Sequence, residues 1–340
     1  MRYALLFVAL SSAIAQPPKI ANARFETRAV TGLDAEMRKL TGATAGPEWV
    51  GYAVPMIAGE HRSCCWNSDQ CCGRCNLESS SGFNRTSGTP PDGVVKLEGP
   101  QTFVVLLRLS NHAVDKVQGY TLDCELDAGG LPFHWLTGVS PAESVTYLAS
   151  LAADHKGAVY ALAMHADASV DPVLDRLAAP SQPEKQREDV AFWLGNTRGR
   201  RGVDILKEML ARDPSDHLRK HVMFALSISK DTTALAQLLD SARTDRSSEV
   251  RSQALFWLAH KAGQKETAAI TQAIADDPDT KVKKQAVFAL QQLPPDQGIP
   301  LLIHVARSNP NPEVRKQAMF WLGQSKDERA LRFFEEILAK

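Results

Sequence analysis

The chain has 340 residues, and its 39 Lys+Arg balance 39 Asp+Glu to a formal net charge of zero. That balance argues against a dedicated nucleic-acid binder, which carries a basic excess. With 44% hydrophobic and 23% charged residues, the composition is that of a folded protein rather than a disordered one.

Residues 1–15 read as an export signal. Arg2 supplies a positive charge, residues 3–10 form a short apolar run, and Ala13, Ile14 and Ala15 place small residues before a cut at Gln16. The run is too short to span a bilayer as a helix, and no later stretch is long and apolar enough. A periplasmic or extracellular protein with no transmembrane segment is expected.

Residues 16–139 are expected to form a small β-rich domain of unassigned topology. Stretches 49–57, 102–109 and 119–126 are rich in Val, Tyr, Phe and Thr and are bounded by Gly, Pro and Asp, as strands are. Residues 102–107 are apolar throughout, which predicts a strand covered on both faces. A short helix is predicted over 33–40, and Ser, Gly and Pro mark 79–82 and 88–93 as loop. Asn84-Arg85-Thr86 matches the glycosylation sequon, a short pattern that also occurs by chance.

Five cysteines, Cys64, Cys65, Cys71, Cys72 and Cys75, crowd one loop, and Cys124 stands apart. In an exported chain an even number favours disulfides. If all six pair, one of the five must join Cys124, which stapled loop would then be tied to the domain core through the alternating strand 120–126. Rival readings are a metal knot with His61 and a redox pair at Cys72 and Cys75. The latter motif needs a helix N-terminus to lower its thiol pKa, and Gly, Asn and Ser surround it instead.

Ser140-Pro141-Ala142-Glu143 has the form of a capping box with Pro at the first helical position. It predicts a helix over 141–152 and opens an all-helical region, 140–340. One phrase recurs there every 32 residues: Val314-Arg315-Lys316-Gln317-Ala318-Met319-Phe320-Trp321-Leu322-Gly323, then Val282 to Leu290, then Val250 to Leu258, with weaker copies upstream. The aromatic positions Tyr160, Phe192, Phe224, Phe256, Phe288 and Phe320 keep the step, and so does a second series, Leu174, Leu206, Leu238, Ile270, Leu302 and Phe334. Two helices per repeat follow, six repeats in all. Asp213-Pro214, Asp277-Pro278 and Asn309-Pro310 break them, and Asn311-Pro312-Glu313 restarts one. A single helical hairpin cannot bury its apolar face, so the repeats must stack.

Asp/Asn-Pro followed by Val-Arg-x-x-Ala-x-x-x-Leu-Gly, with a second helix after Lys326-Asp327, resembles the short HEAT-like repeat of phycobilisome lyases over about 141–340. The resemblance implies a right-handed α-solenoid with the Val-Arg helices on its concave side. It departs from that family in placing large Phe and Trp within the phrase. Lyase chemistry is not transferred, because fold does not carry function.

Two rows of side chains are candidates for function. Arg187, Arg219, Arg251, Lys283 and Arg315 form a basic ladder, with Asp213, Asp245, Asp277 and Asn309 each six residues before one of its members. Inter-repeat ion pairs, partly exposed, are the expected use, and an anion groove is the alternative. On a helical wheel at 100° per residue, Phe320 falls away from the Val314, Ala318, Leu322 core and between Lys316 and Gln317. Phe192, Phe224, Phe256, Phe288 and Phe320 therefore either pack repeat on repeat or form an aromatic ridge for an extended partner. Trp193, Trp257 and Trp321 fall near the core direction. Arg198, Arg200 and Arg201 read as a solvated turn. The nine His show no paired spacing with Ser or Cys, and there is no Gly-rich phosphate loop.

The resulting expectation is an α+β multidomain chain: a disulfide-stapled β-rich domain followed by a six-repeat solenoid. It is expected to be a non-enzymatic scaffold that binds a protein or peptide, with no cofactor, no metal and no nucleic acid. Alternatives are a thiol-disulfide enzyme centred on the cysteine loop and a structural envelope spacer.

Overall fold

The computed structural model describes residues 17–44, 46–59, 74–78, 101–262 and 267–339. They belong to two compact units, Met1–Val170 and Asp171–Lys340. The export signal, the sequon and Cys64, Cys65, Cys71 and Cys72 lie outside the described residues.

The first unit runs β1 (Ile20–Ala21), β2 (Arg24–Ala29), α1 (Leu33–Ala43), β3 (Glu48–Pro55), β4 (Arg74–Asn76), β5 (Thr102–Ser110), β6 (Ala113–Thr121), β7 (Glu125–Asp127), β8 (Pro132–Thr137), α2 (Pro141–Leu151) and α3 (Lys156–Met164). A mixed five-stranded sheet has the order β2-β8-β3-β5-β6, with β2, β8 and β3 parallel and β3, β5 and β6 antiparallel. A small parallel sheet orders β1-β7-β4. Strand β5 is the best-covered strand: Phe103 to Leu107 are fully buried, as its unbroken apolar run predicts.

Two expectations need correction here. The strand expected over 119–126 is broken, because β6 ends at Thr121 and the amide of Cys124 turns back to the Thr121 carbonyl at 3.1 Å. Cys124 is buried, but in that turn rather than on a strand face. The capping box does not form: the Ser140 side chain makes no cap bond, although the helix does begin at Pro141. Strands β2 and β8 carry no alternation that would have announced them; β2 is exposed along most of its length.

The second unit is helical. After α4 (Val170–Leu177), which begins at the division, come α5 (Glu184–Thr197), α6 (Gly199–Arg212), α7 (Asp216–Ile228), α8 (Thr233–Thr244), α9 (Ser248–Ala262), α10 (Thr267–Asp276), α11 (Thr280–Gln291), α12 (Pro295–Ser308), α13 (Pro312–Gln324) and α14 (Glu328–Leu338). These ten helices pair into five solenoid-like hairpins. Leu206, Leu238, Ile270 and Leu302 are buried on the even helices, and Val314, Ala318 and Leu322 on α13. On α14 the core position passes from Phe334 to Phe333. The Asn311 side chain caps α13 by accepting from the Glu313 amide at 2.9 Å, as its sequence predicts.

The sixth expected repeat is split by the division. Tyr160 on α3 lies in the first unit, edge-on to Phe103 at 5.4 Å between ring centroids, and α3 packs directly on β6. A Cβ at Gly157 would sit 1.9 Å from the Val117 carbonyl oxygen. Only glycine permits that approach.

Candidate interaction surface of the repeat region

In the repeat region α5, α7, α9, α11 and α13 pack one upon the next, each carrying one copy of the phrase. The basic ladder holds this row together, with a partner different from the one its spacing suggests. Arg251 gives Nε and Nη2 to the two carboxylate oxygens of Asp277 at 2.7 and 2.9 Å, while its Nη1 donates to the Asp245 carbonyl at 2.9 Å. Arg219 repeats this with Asp245 at 3.2 and 3.3 Å and the Asp213 carbonyl at 2.9 Å. Arg187 pairs with Asp213. For Arg219 and Arg251 the Asp six residues before thus lends only its carbonyl, and a carboxylate comes from the following repeat, joined at Arg219 by that of Asp216.

These pairs are buried, not partly exposed as expected: Arg219 is 0% and Asp213 1% accessible. Each of Asp213, Asp245 and Asp277 also takes the amide two residues on, at 2.8–2.9 Å. The hydrogen bonds that Arg251 donates to the Asp277 carboxylate raise its pKa and hold its guanidinium in the charged form. The ladder lapses where both partners change. Lys283 donates to the Ala275 carbonyl at 2.6 Å, and Arg315 to the carbonyls of Asn309 and Pro310 at 2.8 and 3.0 Å. Arg187, Arg219 and Arg251, paired with Asp213, Asp245 and Asp277, form a buried spine.

The aromatic row is continuous. Phe192 stacks on Phe224 at 6.2 Å, Phe224 meets Trp257 at 5.1 Å, Phe256 stacks on Phe288 at 6.2 Å, and Phe288 meets Trp321 at 5.1 Å. Within single helices Phe192, Phe256 and Phe320 stand edge-on to Trp193, Trp257 and Trp321. Repeat-on-repeat packing is therefore real, and the three Trp belong to the row, half-buried, rather than to the core. One side of the row stays open: Phe192, Phe224, Phe256 and Phe288 are half-buried and Phe320 is 53% accessible. Lys284, Gln253, Gln285 and Gln317, which helical spacing at 100° per residue sets beside the rings, are partly exposed. At the α7 end His221 lies edge-on to Phe224 at 6.1 Å, and burial lowers its pKa.

Arg198 is not a solvated turn residue. It pairs with Asp171 at 2.5 Å, and Arg201 pairs with Asp175 at 2.6 Å. Arg200 is exposed and reaches Asp204 at 3.2 Å.

The first unit holds a polar group that spacing could not reveal. His165 Nε2 lies 3.0 Å from Ser144 Oγ, which donates to Tyr52 Oη at 3.0 Å, and all three residues are fully buried. A Ser–His pair of this kind can serve a nucleophile, but one sealed from solvent locks α2 and the end of α3 to β3. Burial pushes the Tyr52 hydroxyl well above its ordinary pKa. Cys75 and Cys124 are buried and belong to the core cluster around Trp49, Leu106 and Trp135. No helix among the described residues is long and apolar enough to cross a membrane.

A family profile described as HEAT repeats matches residues 170–259 and 267–340. Among solved structures, human deoxyhypusine hydroxylase in complex with glycerol is similar at 20% identity and a TM-score of 0.34, covering 51% of this chain and 68% of its own. YibA of E. coli is similar at 25% identity and a TM-score of 0.34, covering 49% of this chain and 64% of its own. No curated protein sequence matches the chain.

Proposed function

Because the chain carries HEAT-like repeats from residue 170 to its C-terminus, we propose that it is an exported, non-enzymatic scaffold whose repeat region grips a protein or peptide. The observation that carries this reading is the aromatic row, an unbroken series of rings crossing five helices with one side open and a polar margin. A few aromatic anchors within a polar rim are what dominate binding at protein interfaces. A row of this length left bare would be an aggregation liability, so an occupant is needed. The odd-numbered helices also approach one another more closely than the even-numbered ones do, which favours the odd row as the inner side of a curved array. An extended segment laid there would touch successive repeats with the same ring.

Export is read from residues 1–15. The burial of Cys75 and Cys124 in one core cluster favours the cysteines as structural staples over a thiol-disulfide centre. Mass spectrometry of the mature, unreduced protein should find no free thiol, in native or denaturing buffer. Two or more reactive native thiols would transfer the functional reading to the cysteine loop.

Binding itself is tested with displayed peptides selected on the wild-type protein. Replacing Gln253, Gln285 and Lys284 with Glu alters only the margin and should leave the fold intact while weakening the selected peptides at least tenfold. Unchanged affinity in that variant would reject the aromatic row as the binding surface.

A further inference from the structure

The α5–α7 junction departs from the repeat it belongs to. At the position held by Ser252, Lys284 and Lys316 in later repeats, α5 carries Glu188; where those repeats have Gln253, Gln285 and Gln317, α7 carries His221. His217 stands where later repeats have Glu249, Lys281 and Glu313, and Glu184 where they have Asp216, Ser248, Thr280 and Pro312. Two helices that should show a Lys and Gln margin therefore face each other with Glu-x3-Glu and His-x3-His. On a helix, residues four apart lie on one face.

The structure brings three of these side chains together. His217 Nδ1 lies 3.1 Å from Glu184 Oε1 and 2.9 Å from Glu188 Oε1, and the three ligand atoms all lie within 4.8 Å of one another. A zinc-type ion about 2.0–2.1 Å from nitrogen and oxygen ligands sets neighbouring ligands about 3.3 Å apart. The observed contacts are within a few tenths of an ångström of that spacing. His221 follows one turn later, half-buried and in the field of Glu188 and Asp189.

We propose that Glu184, Glu188 and His217 bind a divalent transition-metal ion that clamps α5 to α7 at the start of the aromatic row. One imidazole and two carboxylates suit zinc and its neighbours better than a purely oxygen-seeking ion such as calcium. With three protein ligands on an exposed edge, at least one coordination position faces solvent. A carboxylate or imidazole of a bound segment can take it, beside the first rings. Without metal the same three side chains contact one another directly.

The test is calorimetric titration of chelator-treated full-length protein with zinc chloride, with each variant followed by thermal melting. Zinc should bind the wild type at this junction and raise its melting temperature. His217→Ala and Glu188→Gln, both at exposed or half-buried positions, should each weaken that phase at least tenfold. His304→Ala, an exposed imidazole on α12, should not change it. Cobalt should reproduce the phase with an absorption band of nitrogen and oxygen ligation, and calcium should not compete. Zinc binding of unchanged affinity and stoichiometry in both His217→Ala and Glu188→Gln would overturn the proposal, placing the metal elsewhere. No uptake by the wild type would leave the three residues an ion pair only, and would overturn it equally.

Discussion

Arg219 connects two inter-helix loops through one guanidinium, bonding the Asp213 carbonyl and the Asp216 carboxylate of one and the Asp245 carboxylate of the next. Removing one member of such a buried pair strands the other charge, at about 3–5 kcal/mol. Arg219→Ala should thus lower the urea midpoint by that equivalent. Replacing Arg219 and Asp245 together with apolar residues of similar size should cost far less, since a buried pair gains little over well-packed apolar groups. Equal losses in the single and double variants would show that volume, not charge, matters there. The periodicity of Arg and Asp was legible in the chain; which partner each Arg takes was not. The 32-residue step places Asp213 both six residues before Arg219 and 26 after Arg187, and only the stacking of repeats chooses. Ser144 and His165 were invisible for a related reason, since 21 residues and a helix separate two groups that meet only when α2 and α3 fold onto β3.

Helices were the most readable elements. The Asn309-Pro310 and Asn311-Pro312 steps mark a stop and a start because proline lacks the amide a helix interior needs and suits its first turn. Glycine in the phrase is subtler. Gly195 on α5 and Gly323 on α13 occupy the same repeat position, yet a Cβ at Gly195 would lie 2.1 Å from the Ala225 carbonyl oxygen, while one at Gly323 meets only the Phe334 ring at 4.0 Å. Gly195→Ala should push α5 from α7 and cost about 1–3 kcal/mol as overpacking does. Gly323→Ala should be neutral or stabilising by up to about 1 kcal/mol, from helix propensity alone. Thermal melts of the two variants check the contrast, and a shift of the same sign in both would refute the close approach. In the first unit β5 was legible from its apolar run. Strand β2, with sequence Arg24-Phe25-Glu26-Thr27-Arg28-Ala29, was not, because an exposed edge strand pairing with β8 alone has no face that must be apolar.

The molecule joins a sheet-containing unit, sealed around Tyr52, Ser144 and His165, to a helical unit built by repetition. Repetition has two products: a buried Arg–Asp spine that fixes the spacing of the repeats, and a row of rings that the same spacing brings into register. The first consumes its charges internally, whereas the second leaves one side open. That difference is why the aromatic row, not the basic ladder, is the binding surface proposed. The direct test is hydrogen exchange by mass spectrometry on the full-length protein, with and without a saturating selected peptide. Slowed exchange confined to α5, α7, α9, α11 and α13 is the predicted result, with α6, α8, α10 and α12 unchanged. Protection on the even-numbered helices, or in residues 17–170, with the odd-numbered row unaffected would contradict it.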